Sequence, residues 1–200
     1  MPFSIKESLI FGWEAFFAHY KVFVPVVFIS MAISLVSEYI VKDNFSLLAL
    51  SVCTVGAIAQ IIIGMGLTKI ALKISAGEPV IFDDVFSVTH LFFPFIGAGL
   101  LYVLIVLAGL LLFVIPGFIW LISYWLYQYV LIDREVGIWA ALSEAKRLSQ
   151  GARWHMCKFM FVVCILNVAG MLTFFIGLFL TIPITAVSTA YVYRKLLERV

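Results

Sequence analysis

Between Leu91 and Ile132 the chain runs for 42 residues without an Asp, Glu, Lys or Arg, and no other feature constrains the fold as strongly. As one continuous helix this run would reach roughly 63 Å at about 1.5 Å per residue. The hydrocarbon core of a bilayer is only about 30 Å thick. Pro116, which lacks a backbone donor, and Gly117, which tolerates unusual dihedrals, sit near the centre of the run. The run therefore predicts two crossing helices that re-enter at Ile115-Pro116-Gly117.

The rest of the chain repeats this arrangement. Hydrophobic residues make up 64% and charged residues 12% of the sequence, against about half and a quarter in a soluble domain. No room remains for a soluble catalytic domain. Apolar segments at about 22–41, 45–68, 92–114, 118–132, 158–176 and 180–196 predict six transmembrane helices in three hairpins, with the last pair broken around Gly177 and Pro183. They follow one another without a long linker, so a single polytopic membrane domain over 1–200 is expected. The first apolar run starts about twenty residues in and ends at Ser37-Glu38 without an Ala-x-Ala-like site, so a retained N-terminus is expected. Cys53, Cys157 and Cys164 form no Cys-x-x-Cys and read as reduced, buried small hydrophobes.

Positive charge orients the helices. Of the 13 basic residues, only Lys42 falls in an opposite-side loop, and the positive-inside rule assigns the other face to the cytoplasm. Both termini are expected there, in a cell membrane of bacterial inner-membrane type. Net charge is only +2, yet that face is locally basic and favours anionic headgroups, at about 1 kcal/mol per well-placed cation. Nothing calls for nucleic acid.

Each hairpin is preceded by a cytoplasmic interfacial segment with helical amphipathicity. Ser4-Ile5-Lys6-Glu7 is a capping-box pattern that leads into Leu9, Trp13, Phe16 and Phe17 at helical spacing. Pro79 opens a second piece carrying Ile81, Phe82, Val85 and Phe86, with Asp83 and Asp84 near its start. In the third, Ile138, Ala141, Leu142, Ala145 and Leu148 form a stripe, Lys146 and Arg147 occupy the last turn, and Gly151 supplies the stop. Ile115-Pro116 recurs at Ile182-Pro183, and the same offset carries Tyr124 onto Tyr191. His19, His90 and His155 each sit where an interfacial segment meets its hairpin. An internal threefold repeat with units 1–73, 74–134 and 135–200 fits this pattern; chance self-similarity of phenylalanine-rich sequence is the competing explanation.

From Phe113 to Trp154 the order is Phe-Val-Ile-Pro-Gly, Asp133-Arg134, Gly137, then Ala141-Leu142-Ser143-Glu144-Ala145-Lys146-Arg147-Leu148-Ser149-Gln150-Gly151 and Trp154. This order resembles bacterial six-helix membrane proteins similar to the membrane domain of some glycerophosphoryl diester phosphodiesterases, and related stand-alone proteins. The likeness covers most of the chain as an architecture, and its motifs are not catalytic. In two-domain relatives of that kind the chemistry lies in a separate soluble barrel using acidic residues, histidines and a metal, and nothing here matches it. The resemblance implies a membrane fold in a lipid-linked setting and argues against phosphodiesterase activity for this chain.

Sites are sparse. No Gly-x-Ser-x-Gly holds a nucleophile, and the three isolated histidines lack the spacing of a metal site. They read as interface residues, with a pH-sensing ring as the sharper alternative. No catalytic residue, metal or cofactor is expected. The intramembrane polar candidates are Gln60 and Asn167, expected to form interhelical hydrogen bonds, with Tyr124, Gln128 and Tyr191 nearer the helix ends. Glu38 with Lys42 and Asp43 reads as a solvated boundary. The interfacial candidates are His19, His90, His155, Trp13, Trp139, Lys146, Arg147 and Arg153. Ala49, Cys53 and Ala57, with Gly56 and Gly64, form a small-residue face for internal packing or for docking a subunit. The expected function is non-catalytic: organising the membrane or envelope by binding lipid, anionic lipid in particular, or a protein partner, possible partners including a second copy. The alternative is a small-molecule transporter, or the substrate-binding component of one.

Overall fold

The computed structural model describes residues 2–43, 47–173 and 177–199. The first residues of the expected second helix, at 45–46, and the last of the expected fifth, at 174–176, lie outside the described residues, as do the side chains of Lys42 and Asp43. Among the described residues the fold is all helical. It comprises α1 (Ile5–Ala18), α2 (Tyr20–Asp43), α3 (Leu47–Ser75), 3-10 turns at Phe82–Val85 and Thr89–Leu91, α4 (Phe92–Leu112), α5 (Val114–Tyr124), α6 (Tyr127–Arg134), α7 (Ile138–Ser149), α8 (Arg153–Leu172) and α9 (Leu178–Leu197).

Five stretches are long and apolar enough to cross a membrane: 20–40, 49–75, 82–112, 114–134 and 153–172. The expected sixth, α9, falls outside this set, and its sequence explains why. Thr181, Pro183, Thr185, Ser188 and Thr189 interrupt its apolar residues, and Arg194 and Lys195 close it. Three of these hydroxyls turn back onto their own helix, Thr185 to the carbonyl of Thr181, Ser188 to Ile184 and Thr189 to Thr185, all within 2.8 Å. The helix tolerates them because it is enclosed by α1, α3 and α8, with Val187, Ser188, Ala190, Val192 and Tyr193 wholly buried. A helix shielded from lipid by its neighbours need not be apolar all round.

Packing follows one rule three times. α2 lies on α3, α4 on α5 and α8 on α9, while α3 touches both α6 and α9. The short segments pack on these helices: the Phe82–Val85 turn on α3, α7 on α6 and α5, and α1 on α9. The N-terminal segment is therefore part of the core. Ser8, Gly12, Ala15 and Phe16 are buried, and a Cβ on Gly12 would strike the Ser188 hydroxyl and the Ile184 carbonyl. Phe3 meets His155 and Phe159 edge-on.

Several expected boundaries move. The chain reverses at Phe113, three residues before Pro116, and Pro116 lies in the first turn of α5, where a missing donor leaves no bond unmade. Gly117 serves the close approach of two helices: its added Cβ would lie 2.6 Å from Leu110 N, and that of Gly109 would lie 2.8 Å from Gly117 Cα. Tyr102 hydrogen-bonds the Leu121 carbonyl further along the same antiparallel pair. The expected helix 118–132 is two helices, α5 and α6, divided at Trp125-Leu126. Pro183 lies inside α9 and does not divide it, so the two Ile-Pro pairs occupy different places in their helices. The second interfacial segment is a 3-10 turn, since two adjacent aspartates and four residues cannot sustain an α-helix. α8 begins at Arg153, which brings Arg153, Trp154, His155 and Lys158 onto one helix.

Candidate functional site

The corner where α7 passes into α8 gathers more charged and aromatic side chains than any other expected site. In α7 the stripe Ala141, Leu142, Ala145 and Leu148 is buried, and this sets Trp139, Lys146 and Arg147 outward, with Trp139 72% exposed. Glu144 sits between the two sides. It accepts from Arg134 Nη1 of α6 at 2.8 Å and from Arg147 Nη2 and Nε at 2.7 and 2.8 Å. The Arg147 guanidinium, with Arg134 behind it, holds the Glu144 carboxyl below the usual glutamate range. Its charge is thereby neutralised locally.

Gln150 leaves the helix in extended backbone, and Gly151, at φ +72°, makes the left-handed step that a Cβ would strain. α8 then opens with Arg153, Trp154 and, one turn on, Lys158. Lys158 Nζ lies 5.6 Å from the centre of the Trp154 ring, and that indole is 69% exposed. No acidic residue occupies the first turn of α8, so its unpaired N–H groups and these cations add in sign. Among the described residues Lys146, Arg153 and Lys158 form no ion pair, and all three are exposed.

The other candidates are dispersed. Gln60 of α3 is engaged with α2: it accepts from Ser30 Oγ at 2.7 Å and donates to the Ser30 carbonyl at 2.6 Å and to Ser34 Oγ at 2.8 Å. Asn167 does not make the expected interhelical bond; its amide donates to Val163 of its own helix at 3.0 Å, and its Oδ1 is buried without a partner among the described residues. Tyr124 ends α5 half-buried, Gln128 donates to the Tyr127 hydroxyl, and Tyr191 lies on Phe11 with ring centres 4.8 Å apart. The histidines have separate partners rather than a shared ring: the Ala15 carbonyl for His19, Glu135 at 3.3 Å for His90, and the Phe3 ring for His155. Trp13 is exposed beside Phe17. Gly56 of the small-residue face meets Ser37 and Ile33 of α2, whereas Gly64 faces open space. Among the described residues no group of three His, Cys, Asp or Glu is placed to hold a metal.

Two polar arrangements were not expected from sequence. Ser30 and Ser34 stand at i and i+4 on α2 and form the other half of the Gln60 site, a spacing visible in the sequence once Gln60 is taken to need partners. Asp133 ties α6 to α9 by accepting from Tyr193 Oη at 2.9 Å and Arg194 Nη2 at 3.2 Å. No local signal pairs residues sixty positions apart. No family model, curated protein or solved structure matches the chain.

Proposed function

We propose that the chain is a non-catalytic integral membrane protein that gathers anionic phospholipid at its cytoplasmic face and so organises the membrane around it. In this reading six helices cross as three hairpins, and both termini and all three short segments are cytoplasmic. The observation that carries it is the passage from α7 into α8, where exposed Lys146, Arg153 and Lys158 form no ion pair among the described residues and Lys158 lies over the Trp154 ring. α9 supplies the sixth crossing, since its 20 residues reach about 30 Å. The packing of every short segment on the preceding unit supports a threefold repeat closed on itself. The test uses a variant with Trp154 as its sole tryptophan, reconstituted with brominated lipid. Brominated phosphatidylglycerol should quench the indole more than brominated phosphatidylcholine, and Lys146→Gln with Lys158→Gln should reduce that preference. Equal quenching by the two lipids sinks the reading.

A second reading, small-molecule transport or substrate capture, rests on a hollow of about 350 Å³ between α2 and α9 that Ser30, Ser34 and Glu38 line, with Gln60 bonded to both serines. It predicts thermal stabilisation by some member of a metabolite panel, abolished by Gln60→Leu; a panel without any stabilising member removes it.

A further inference from the structure

Below the basic corner a groove of about 500 Å³ runs between α5 and α8. Ile115, Phe118, Ile119 and Ile122 line it from α5, and Arg153 and Trp154 close it from the start of α8. Its composition is asymmetric: the α5 side is wholly apolar, and the α8 side carries a guanidinium with no ion-pair partner among the described residues. Any apolar surface in a bilayer meets acyl chains, but few such surfaces end at an unpaired cation. Ile115, Phe118 and Ile119 are exposed and Ile122 is buried, so the groove has an apolar floor and an open side.

We propose that this groove is a seat for a single anionic glycerophospholipid of the cytoplasmic leaflet, with one acyl chain between α5 and α8 and its phosphate on the Arg153 guanidinium. Arg suits the role because its planar fork binds two phosphate oxygens at once. Trp154 adds an indole N–H at headgroup depth, and the opening N–H groups of α8 point the same way. The seat rests on the orientation proposed above and names the lipid site within it. It differs from the loose attraction of Lys146 and Lys158, because it demands a headgroup charge and a chain together.

The full chain, in mild detergent, is offered equal phosphatidylglycerol and phosphatidylcholine of matched chains and observed by native mass spectrometry. Wild type should retain one phosphatidylglycerol in preference to phosphatidylcholine. Arg153→Gln should reduce that preference roughly five-fold, the weight of one cation at a surface, and Arg153→Lys should restore only part of it, since it returns the charge without the fork. Ile119→Phe, which narrows the groove, should lower retention of both lipids. Excess inorganic phosphate should not displace the lipid. Equal retention of the two lipids by wild type, no effect of Arg153→Gln, or displacement by phosphate alone overturns the proposal. Phosphatidylglycerol retention that depends on Arg153, with a bromolipid preference that Lys146→Gln and Lys158→Gln leave unchanged, would instead count against the wider reading and leave the seat standing.

Discussion

Glu144 is the carboxylate on which α6 and α7 converge, and its protonation decides whether Arg134 and Arg147 keep a common partner. Its folded-state pKa lies below the ordinary value of 4.5, chiefly through the Arg147 bond. A depressed carboxylate contributes stability fully above its unfolded pKa and loses it as pH falls through the lower folded value. Thermal unfolding of wild type should therefore weaken as pH falls below about 4.5, whereas Glu144→Gln should start weaker at neutral pH and lose less. Parallel pH curves for the two proteins would show that the pairing adds nothing. Tyr193 and Tyr129 both bind across α6 and α9, but Tyr193 donates to a charged carboxylate and Tyr129 to the Ala186 carbonyl. Tyr193→Phe should accordingly cost about 1.5–3 kcal/mol and Tyr129→Phe about 0.5–1.5 kcal/mol in reversible unfolding; the reverse order would count against the Asp133 contact. These pairings lie beyond sequence reading because they join residues sixty positions apart.

At the scale of elements, α1 shows why an amphipathic segment is not automatically peripheral. One face buries Ser8, Gly12, Ala15 and Phe16 against α9, while Ile10, Trp13 and Phe17 remain exposed. Capping and apolar spacing were both legible, and Ser4 Oγ does accept from the Glu7 backbone at 3.4 Å. What helical spacing left open was which apolar stripe meets protein and which meets lipid, since both are hydrophobic. Gly12 decides it, because only its missing Cβ admits α9. Gly12→Val should overpack this contact at about 1–3 kcal/mol, read as a lower melting temperature together with new protease access at residues 2–18. A neutral outcome would place α1 away from α9. Removal of residues 2–17 should likewise loosen the bundle, since Phe3 and Phe16 belong to its core.

Across the whole molecule, two salt bridges follow the packing. Lys73 at the end of α3 holds Asp84 at 2.8 Å and Arg134 at the end of α6 holds Glu144, while Lys195 on α9 pairs with Glu198 at its own end. A cation in the last turn of α3 and of α6 complements that helix's own dipole while it pairs with an acid of the segment that follows. The proposed topology puts these contacts on one side and Phe113 on the other. In a cysteine-free background, Phe113→Cys should label with an impermeant maleimide added outside intact cells, and Gln150→Cys only after permeabilisation. Labelling of both from one side would refute the orientation.

Composition and hydropathy alone determined that this chain is a bundle of membrane-length helices with short amphipathic segments between them, because lipid admits few ways to satisfy a backbone. Charge spacing along the chain also marked the basic end. Tertiary structure alone decided that α9 is the enclosed helix, that the reversal falls at Phe113, and that Arg153 and Trp154 border a groove lined by α5. Those outcomes depend on which apolar surfaces face each other, and hydrophobic residues that contact lipid or protein look alike in one dimension.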